Sequence, residues 1–450
     1  MQDTTPYDVT RLRSRFPSLA SGTAHFDGPG GTQTPIEVGR AVYERITGPV
    51  SNKGTGSLSE RTASATMADF REAMGDFLAS DPQGIVYGRS ATALVYEFAG
   101  YLSKSWGPGD TVVVSRLDHD SNVRPWVQAA ERAGASVAWI DLDPATGDLD
   151  PASAEAVIGP DTVLVAIAAA SNFLGTIPPV RRIADLAHSH GALVWVDAVH
   201  YAAHRLVDRE ALGADVLVCS PYKFLGPHCG VLAADPQWLA GVEVDKLAPQ
   251  TDAVPDRFER GTLPYELQSG VVAAVDFLAD LAEEFGGAAP AGTDGAGAMS
   301  RRARLEASFA LLEEHEDALR ERMEAGLAAL GEEVVVHSVA AQRTPTVTVT
   351  LPGRDVRAAY AHLVTEHDVL APAGDFYAYE AVRRLGLPGN AGLRMGLAPY
   401  SDHRDVDRLL AGLRTFLETT PAAGGPEGAA AGTAYDDALR DLAGQHGGDR

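Results

Sequence analysis

Lys223 lies in the stretch Cys219-Ser220-Pro221-Tyr222-Lys223-Phe224-Leu225-Gly226-Pro227-His228, directly after the apolar run Asp215-Val216-Leu217-Val218. A second apolar run, Ala192-Leu193-Val194-Trp195-Val196, ends on Asp197. A lysine desolvated at a strand end loses its proton readily and becomes a nucleophilic amine. An acid on a nearby strand end can hold a proton against a ring nitrogen. A single loop lysine is more often simply solvated, so the chemical reading of Lys223 depends on its neighbours.

Those neighbours exist. Asp118-His119-Asp120 follows the apolar run Thr111–Ser115, and a flat imidazole there can stack on a planar ring. Ser171-Asn172 follows Thr162–Ala168, where the Asn172 amide can donate to a phenolate-like oxygen; such pairs are also ordinary turn formers. Gly88-Arg89-Ser90-Ala91-Thr92 joins a strand to a helix start. Free backbone N–H groups and hydroxyls at that point suit a phosphate. Asp27-Gly28-Pro29-Gly30-Gly31-Thr32 lacks the G-x-G-x-x-G spacing and a following βαβ unit, so it reads as a tight turn that brings Gly30 close to a ligand. A strand-end acid, Ser-x-x-Lys and a helix-start phosphate loop are together the wiring of a pyridoxal 5′-phosphate (PLP) enzyme. His200 and His204 could share a helix face as metal ligands do, but no third ligand is evident, so no metal is expected.

The elements that must position these groups alternate. Strands are expected at Gly84–Tyr87, Thr111–Ser115, Ser136–Ile140, Thr162–Ala168, Ala192–Asp197 and Asp215–Cys219. Helices are expected at Asp69–Ser80, Ala91–Trp106, Asn122–Ala133 and Val180–His190. Apolar strands each followed by a helix predict an α/β fold with a mainly parallel sheet covered on both faces. Ligands then sit beyond the carboxyl ends of the strands, where Asp197, Lys223 and the Ser115–Asn122 loop all fall. A helix at Arg301–Leu330, strands at Glu333–Val339 and Thr344–Leu351, and helices at Val356–Glu366 and Asp405–Leu417 predict a smaller α+β C-terminal domain. The expected division is 1–35 as an N-terminal segment packing on the small domain, 36–285 as the large PLP-binding domain, 286–300 as a flexible insertion, 301–420 as the small domain and 421–450 as a disordered tail.

Bulk composition excludes several classes. A net charge of −24 argues against nucleic acid or an anionic membrane surface as partner. No run of about 18 apolar residues offers a membrane span. Two cysteines in 450 residues exclude a disulfide framework. With no secretory leader at Met1–Pro6, a cytoplasmic location is expected.

The motifs FDGPGGTQ, RLDHDSNVRPW, ASNFLGT, VWVDAVHYAAH, SPYKFLGPH, RFERGT and GLRMGLAPYSDHRDVDRLL resemble those of the fold-type I PLP enzymes of the class V aminotransferase family, and within it the cysteine desulfurase-like proteins. The resemblance covers about residues 10–418. It implies that Lys223 holds PLP covalently, that Asp197 pairs with the pyridine nitrogen and that His119 stacks on the ring. It places Asn172 and His200 near the phenolic oxygen, the desulfurases usually having Gln at the latter position. Ser220, Ala91 and Thr92 would bind the phosphate. Gly261-Thr262 would reach the phosphate of a neighbouring subunit, which implies a homodimer with shared sites. Arg394 would clamp the α-carboxylate of a small amino-acid substrate. One departure bears on the reaction. The desulfurases carry a loop cysteine in a pattern like R-x-G-x-x-C, and the matching segment here, Pro372-Ala373-Gly374-Asp375-Phe376-Tyr377, has neither the arginine nor the cysteine. The expected chemistry is proton removal at Cα by Lys223 and β-elimination of the C–S lyase kind, with Tyr377 or Tyr222 at the substrate as a second acid. Transamination or epimerisation shares the first steps, and a non-catalytic scaffold is the alternative of another class.

Overall fold

The computed structural model describes residues 7–286 and 299–422. Nearly all of the expected insertion and tail therefore lies outside the described residues. The large sheet has seven strands: β1 (Ile85–Gly88), β2 (Thr111–Ser115), β3 (Ser136–Ile140), β4 (Thr162–Ala168), β5 (Leu193–Asp197), β6 (Val216–Cys219) and β7 (Gly230–Ala234). Their order is β1-β7-β6-β5-β4-β2-β3, and β7 alone runs against its neighbours. Side chains alternate between two buried faces, as the period of a strand requires. Val113, Val165, Val196 and Leu217 enter one core, while Val112, Val114, Trp195 and Val218 enter the other. Both faces must be covered, and near-continuous Val, Ile and Leu in these strands records that.

Helix Ala91–Leu102 covers one face. Its Phe98 is fully buried, stacks on Phe258 at 5.2 Å and meets Trp195 of β5 at 5.6 Å. Helices Leu58–Leu78 and Tyr265–Ala279 cover the other face. A second sheet is antiparallel, with strands β8 (Val335–Val336), β9 (Thr346–Thr350), β10 (Ala373–Gly374) and β11 (Gly392–Gly396) in the order β8-β9-β11-β10. Helix Arg301–Ala328 is about 42 Å long at 1.5 Å per residue. It places Leu305 and Phe309 in the core of the large domain and Leu319 and Met323 in that of the small one, so one rigid rod fixes both sheets. Near the N-terminus, Ala24–His25 pairs with Val369–Leu370, while the Asp8 N–H donates to the Phe285 carbonyl.

Two expectations change, and one helix was not expected. The helix expected at Asp69–Ser80 begins at Leu58, because Ser57 and Glu60 form a capping box that satisfies the first-turn N–H groups. The helix at Tyr265–Ala279 escapes periodicity because it is buried on most sides. The strand expected at Glu333–Val339 shrinks to Val335–Val336, at the edge of its sheet.

Phe98 fixes the helix whose first turn borders the strand ends. Phe98→Ala is expected to cost about 3–5 kcal/mol of unfolding free energy, read from urea denaturation; a loss within experimental error would show that Phe98 does not pin this helix.

Candidate active site

The parallel strands β2, β4, β5 and β6 end on one edge, at Ser115, Ala168, Asp197 and Cys219. The return from β6 to antiparallel β7 crosses that edge and carries Ser220, Tyr222 and Lys223. A cavity of about 300 Å³ opens there. Lys223 and Asp197 share it with His119 from the β2 loop, Asn172 from the β4 loop and His200 after β5. Ala91 and Thr92 border it from the first turn of their helix, and Ser220 and Gly30 from their turns. Arg394 and Tyr377 close it from the small domain. Gly261 and Thr262 lie elsewhere; Thr262 is exposed, and its hydroxyl donates to Asn52 Oδ1 at 2.9 Å.

Burial dominates the electrostatics. It lowers the Lys223 ammonium to about 7, helped by the charge of Arg394 and opposed by Asp197. The amine donates to the carbonyls of Pro29 at 2.5 Å and Gly30 at 3.0 Å. Burial raises Asp197 to about 6, against the Val199 N–H that donates to its Oδ1 at 2.8 Å. Behind it, buried Asp118 is pushed up to about 7 despite hydrogen bonds from Ser115 and from Asn122 Nδ2. His119 falls to about 4 through burial and then the charge of Lys223. The Ser121 N–H donates to His119 Nδ1 at 3.1 Å, so this neutral ring carries its proton on Nε2.

Arg394 sits on β11 and is buried. Its guanidinium stacks 3.7 Å from the centre of Phe376, and Nη1 donates to the Asn172 carbonyl at 2.9 Å. Among the described residues it makes no ion pair, and its Nε has no partner. Burial lowers it to about 9, which Asp27 partly opposes. Asn172 Nδ2 donates to the Phe376 carbonyl at 2.9 Å, which leaves Oδ1 buried without a partner. One of the two amide N–H groups thus holds the loop at Phe376. Tyr377 stacks on His119 with ring centres 5.3 Å apart, and its carbonyl accepts from the Asp120 N–H at 2.7 Å. Phe376 and Tyr377 both have positive φ, 54° and 59°. For bulky side chains this is strained backbone, and such strain collects at functional sites.

The residues fit PLP on observations of this cavity. Three residues that line it each keep a buried polar atom without a partner: Asn172 Oδ1, His200 Nδ1 and Arg394 Nε. The helix start is cradled by Gly230, where an added Cβ would lie 2.3 Å from the Ser90 carbonyl carbon and 2.4 Å from the Ala91 nitrogen. Only glycine lets β7 approach that turn. A metal finds no such fit: among the described residues no group of three or more His, Cys, Asp or Glu gathers. His204 Nδ1 is paired with buried Glu316 at 3.0 Å. Both cysteines are buried, and neither lines the cavity. Sequence reasoning missed Phe376 as the support of Arg394; no local signal marks a ring that acts across such a separation.

This sheet and small domain, with a lysine and an acid at neighbouring strand ends, are those of fold-type I PLP enzymes. The profile of the Aminotransferase class-V family matches residues 24–286 and 286–409. The chain belongs to the class-V aminotransferase family and is a PLP-dependent enzyme. An uncharacterized protein of Mycobacterium tuberculosis is 31% identical, over 91% of this chain and 99% of the relative. A probable cysteine desulfurase of Pseudomonas aeruginosa is 30% identical, over 90% of this chain and 98% of its own. Among solved structures, a cysteine desulfurase of Thermococcus onnurineus superposes with TM-score 0.79 at 24% identity, covering 91% of this chain and 98% of that one.

The lowered Lys223 gives a signed prediction. Between about 7 and the ordinary 10.5 the unfolded chain binds a proton that the folded chain does not, so the stability of the ligand-free protein rises with pH across that window. Below about 7 the full cost of burying the ammonium is present. Lys223→Ala is therefore expected to stabilise the ligand-free protein most below about pH 7, with the advantage shrinking as pH rises. The measurement is the difference in urea midpoint across pH, and a difference independent of pH counts against a lowered Lys223.

Proposed function

We propose that the protein takes a small amino acid through loss of its Cα proton and elimination of a sulfur or similar β-substituent, giving pyruvate and ammonia after hydrolysis. The observation that carries this reading is Arg394: a buried cation that makes no ion pair among the described residues, with only the more distant charge of Asp27 to offset it, on the cavity of a desolvated lysine. A substrate carboxylate supplies the missing charge, and a guanidinium fork takes it in two hydrogen bonds. PLP, when bound, supplies a carbonyl for the substrate amine and a conjugated ring that accepts the electron pair left at Cα.

The chain's own residues do the rest. The first-turn N–H groups of Ala91 and Thr92, with the Ser220 hydroxyl, hold the phosphate. Asp197 keeps a proton at the ring nitrogen, and His119 offers its uncharged face. Asn172 and His200 border the phenolic side. Lys223 is the covalent anchor, and once released its amine, uncharged near neutrality, takes the Cα proton. Tyr377, stacked on His119 and lining the same cavity as Gly30, offers a hydroxyl to the leaving group. We take residues 36–285 as the cofactor-holding domain and 301–420 as the domain that delivers Arg394. A homodimer, with Thr262 completing the neighbour's phosphate site, accounts for the exposure of Thr262 and of nearby Leu247.

A sulfur relay needs a thiol beside the substrate. The burial of Cys219 and Cys229 away from the cavity supports elimination without one.

Incubation of the PLP-reconstituted protein with cysteine is expected to yield pyruvate; alanine with protein-bound persulfide would overturn the reading, and pyridoxamine formation would move it to transamination. Lys223→Ala should abolish the visible cofactor band of the wild type. Arg394→Ala should keep that band and lower kcat/KM by about 10²-fold, the loss of a charged hydrogen-bond pair.

A further inference from the structure

The turn at Asp27–Thr32 and the residue before Lys223 are built as one unit. The Thr32 N–H donates to the Tyr222 carbonyl at 3.0 Å, and Thr32 Oγ1 accepts from the Leu225 N–H at 2.9 Å. A Cβ added at Gly31 would lie 3.3 Å from Tyr222 Cδ2, so glycine lets the turn rest against that ring. A Cβ added at Gly396 would overlap the Pro29 ring, which sets Pro29 hard against β11, the strand of Arg394. The Tyr222 ring in turn stacks on His228, with centres 4.7 Å apart and planes 9° from parallel. Turn and ring are thus fixed before Lys223 meets them.

The Lys223 amine donates to the carbonyls of Pro29 and Gly30, and Nζ lies over the Tyr222 ring, 4.7 Å from its centre. A neutral amine has two N–H groups and a lone pair, whereas an ammonium has three N–H groups and no lone pair. Two carbonyl oxygens and the negative face of an aromatic ring match three donors. The lone pair of a neutral amine gains nothing from that face. The charged groups that face the amine are Asp197 from the end of β5 and Arg394 from β11, beside the uncharged rings of His119 and His200. Burial and Arg394 oppose a positive charge on Nζ, and Asp197 favours it.

We propose that the Pro29 and Gly30 carbonyls and the face of Tyr222 form a seat for protonated Lys223, and that Tyr222 is thereby a positioning residue for proton removal from the substrate, a role that rests on the reading above in which Lys223 takes the Cα proton. In that step the C–H bond breaks, its electron pair stays with the substrate, and the proton adds to the lone pair of Nζ. The ammonium so formed finds a partner for each of its N–H groups, in a cavity that otherwise disfavours it. This use of Tyr222 needs its ring and not its hydroxyl.

The chain has four lysines, Lys53, Lys104, Lys223 and Lys246, so NMR of the ligand-free protein labelled with carbon-13 at lysine Cε resolves them, and the signal lost in Lys223→Ala is that of Lys223. Tyr222→Leu is expected to lower the Lys223 titration midpoint by about one unit, the loss of one cation–π contact in an enclosed site. Tyr222→Phe keeps the ring face and should hold the wild-type midpoint. A midpoint unchanged in Tyr222→Leu, or lowered as far in Tyr222→Phe, overturns the proposal. In the PLP-reconstituted protein with cysteine, Tyr222→Leu should lower kcat about tenfold with KM little changed; an unchanged kcat overturns the positioning role. If Tyr222→Leu does not fold, the wild type decides: the Lys223 Cε protons should lie upfield of those of the other three lysines, shifted by the ring beside them, and an unshifted signal overturns the seat. A wild type that converts cysteine to alanine would sink the elimination reading instead, and the titration of the ligand-free protein would still decide the seat.

Discussion

Burying charge is the constraint on which the site depends. At the strand ends a lysine, an aspartate and a histidine share a cavity with an arginine of the small domain, and burial drives each toward its uncharged form. Lys223 at about 7 and Asp197 at about 6 sit close to neutrality from opposite sides. The two do not cancel each other by contact, since the amine is turned to backbone carbonyls and the carboxylate to a backbone N–H. The cavity therefore carries unsatisfied demand for anions beside Arg394 and for a basic ring nitrogen beside Asp197. A ligand that brings both relieves a cost that the fold itself imposes.

The large domain was legible because its signals are local. Apolar runs ending at Ser115, Ala168, Asp197 and Cys219 mark strands, and shared strand ends place Asp197 and Lys223 together before any contact is known. The small-domain contribution was legible only through resemblance. Arg394 lies in Gly392–Gly396, a stretch too short and too glycine-rich to announce a strand. Its support by Phe376 and the Asn172 carbonyl joins segments far apart in sequence. Asn172 was placed correctly at the cavity, but the direction of its amide depends on the Phe376 carbonyl, which nothing near Asn172 encodes. Thr344 and Thr346 read as strand residues, and only packing reveals that they face a histidine of the other domain.

The loop Asp375–Tyr377 shows how the two domains meet. Two consecutive aromatic residues hold left-handed backbone, a conformation that needs external enforcement. Asn172 and Asp120 grip the carbonyls of Phe376 and Tyr377 from the large domain. Next in the chain, Glu380 bridges Arg116 and Arg124, each at 3.2 Å, and Arg384 reaches Asp141 at 2.8 Å. Exposed ion pairs contribute little singly, but Glu380 is largely enclosed and shared by two arginines, so the group acts as a clamp on the loop.

Arg394 arrives at its task already immobilised. The Phe376 ring and the Asn172 carbonyl fix the guanidinium plane before any ligand enters, so little rotamer freedom remains to be lost on binding. A pre-organised fork of this kind discriminates by shape as well as charge. It rewards a planar two-oxygen anion in one orientation and gives nothing to the corresponding amine that lacks it. In the reaction proposed above, selection of amino acids over their decarboxylated counterparts would thus reside in a stacking contact on the small domain, at a distance from the bond that breaks.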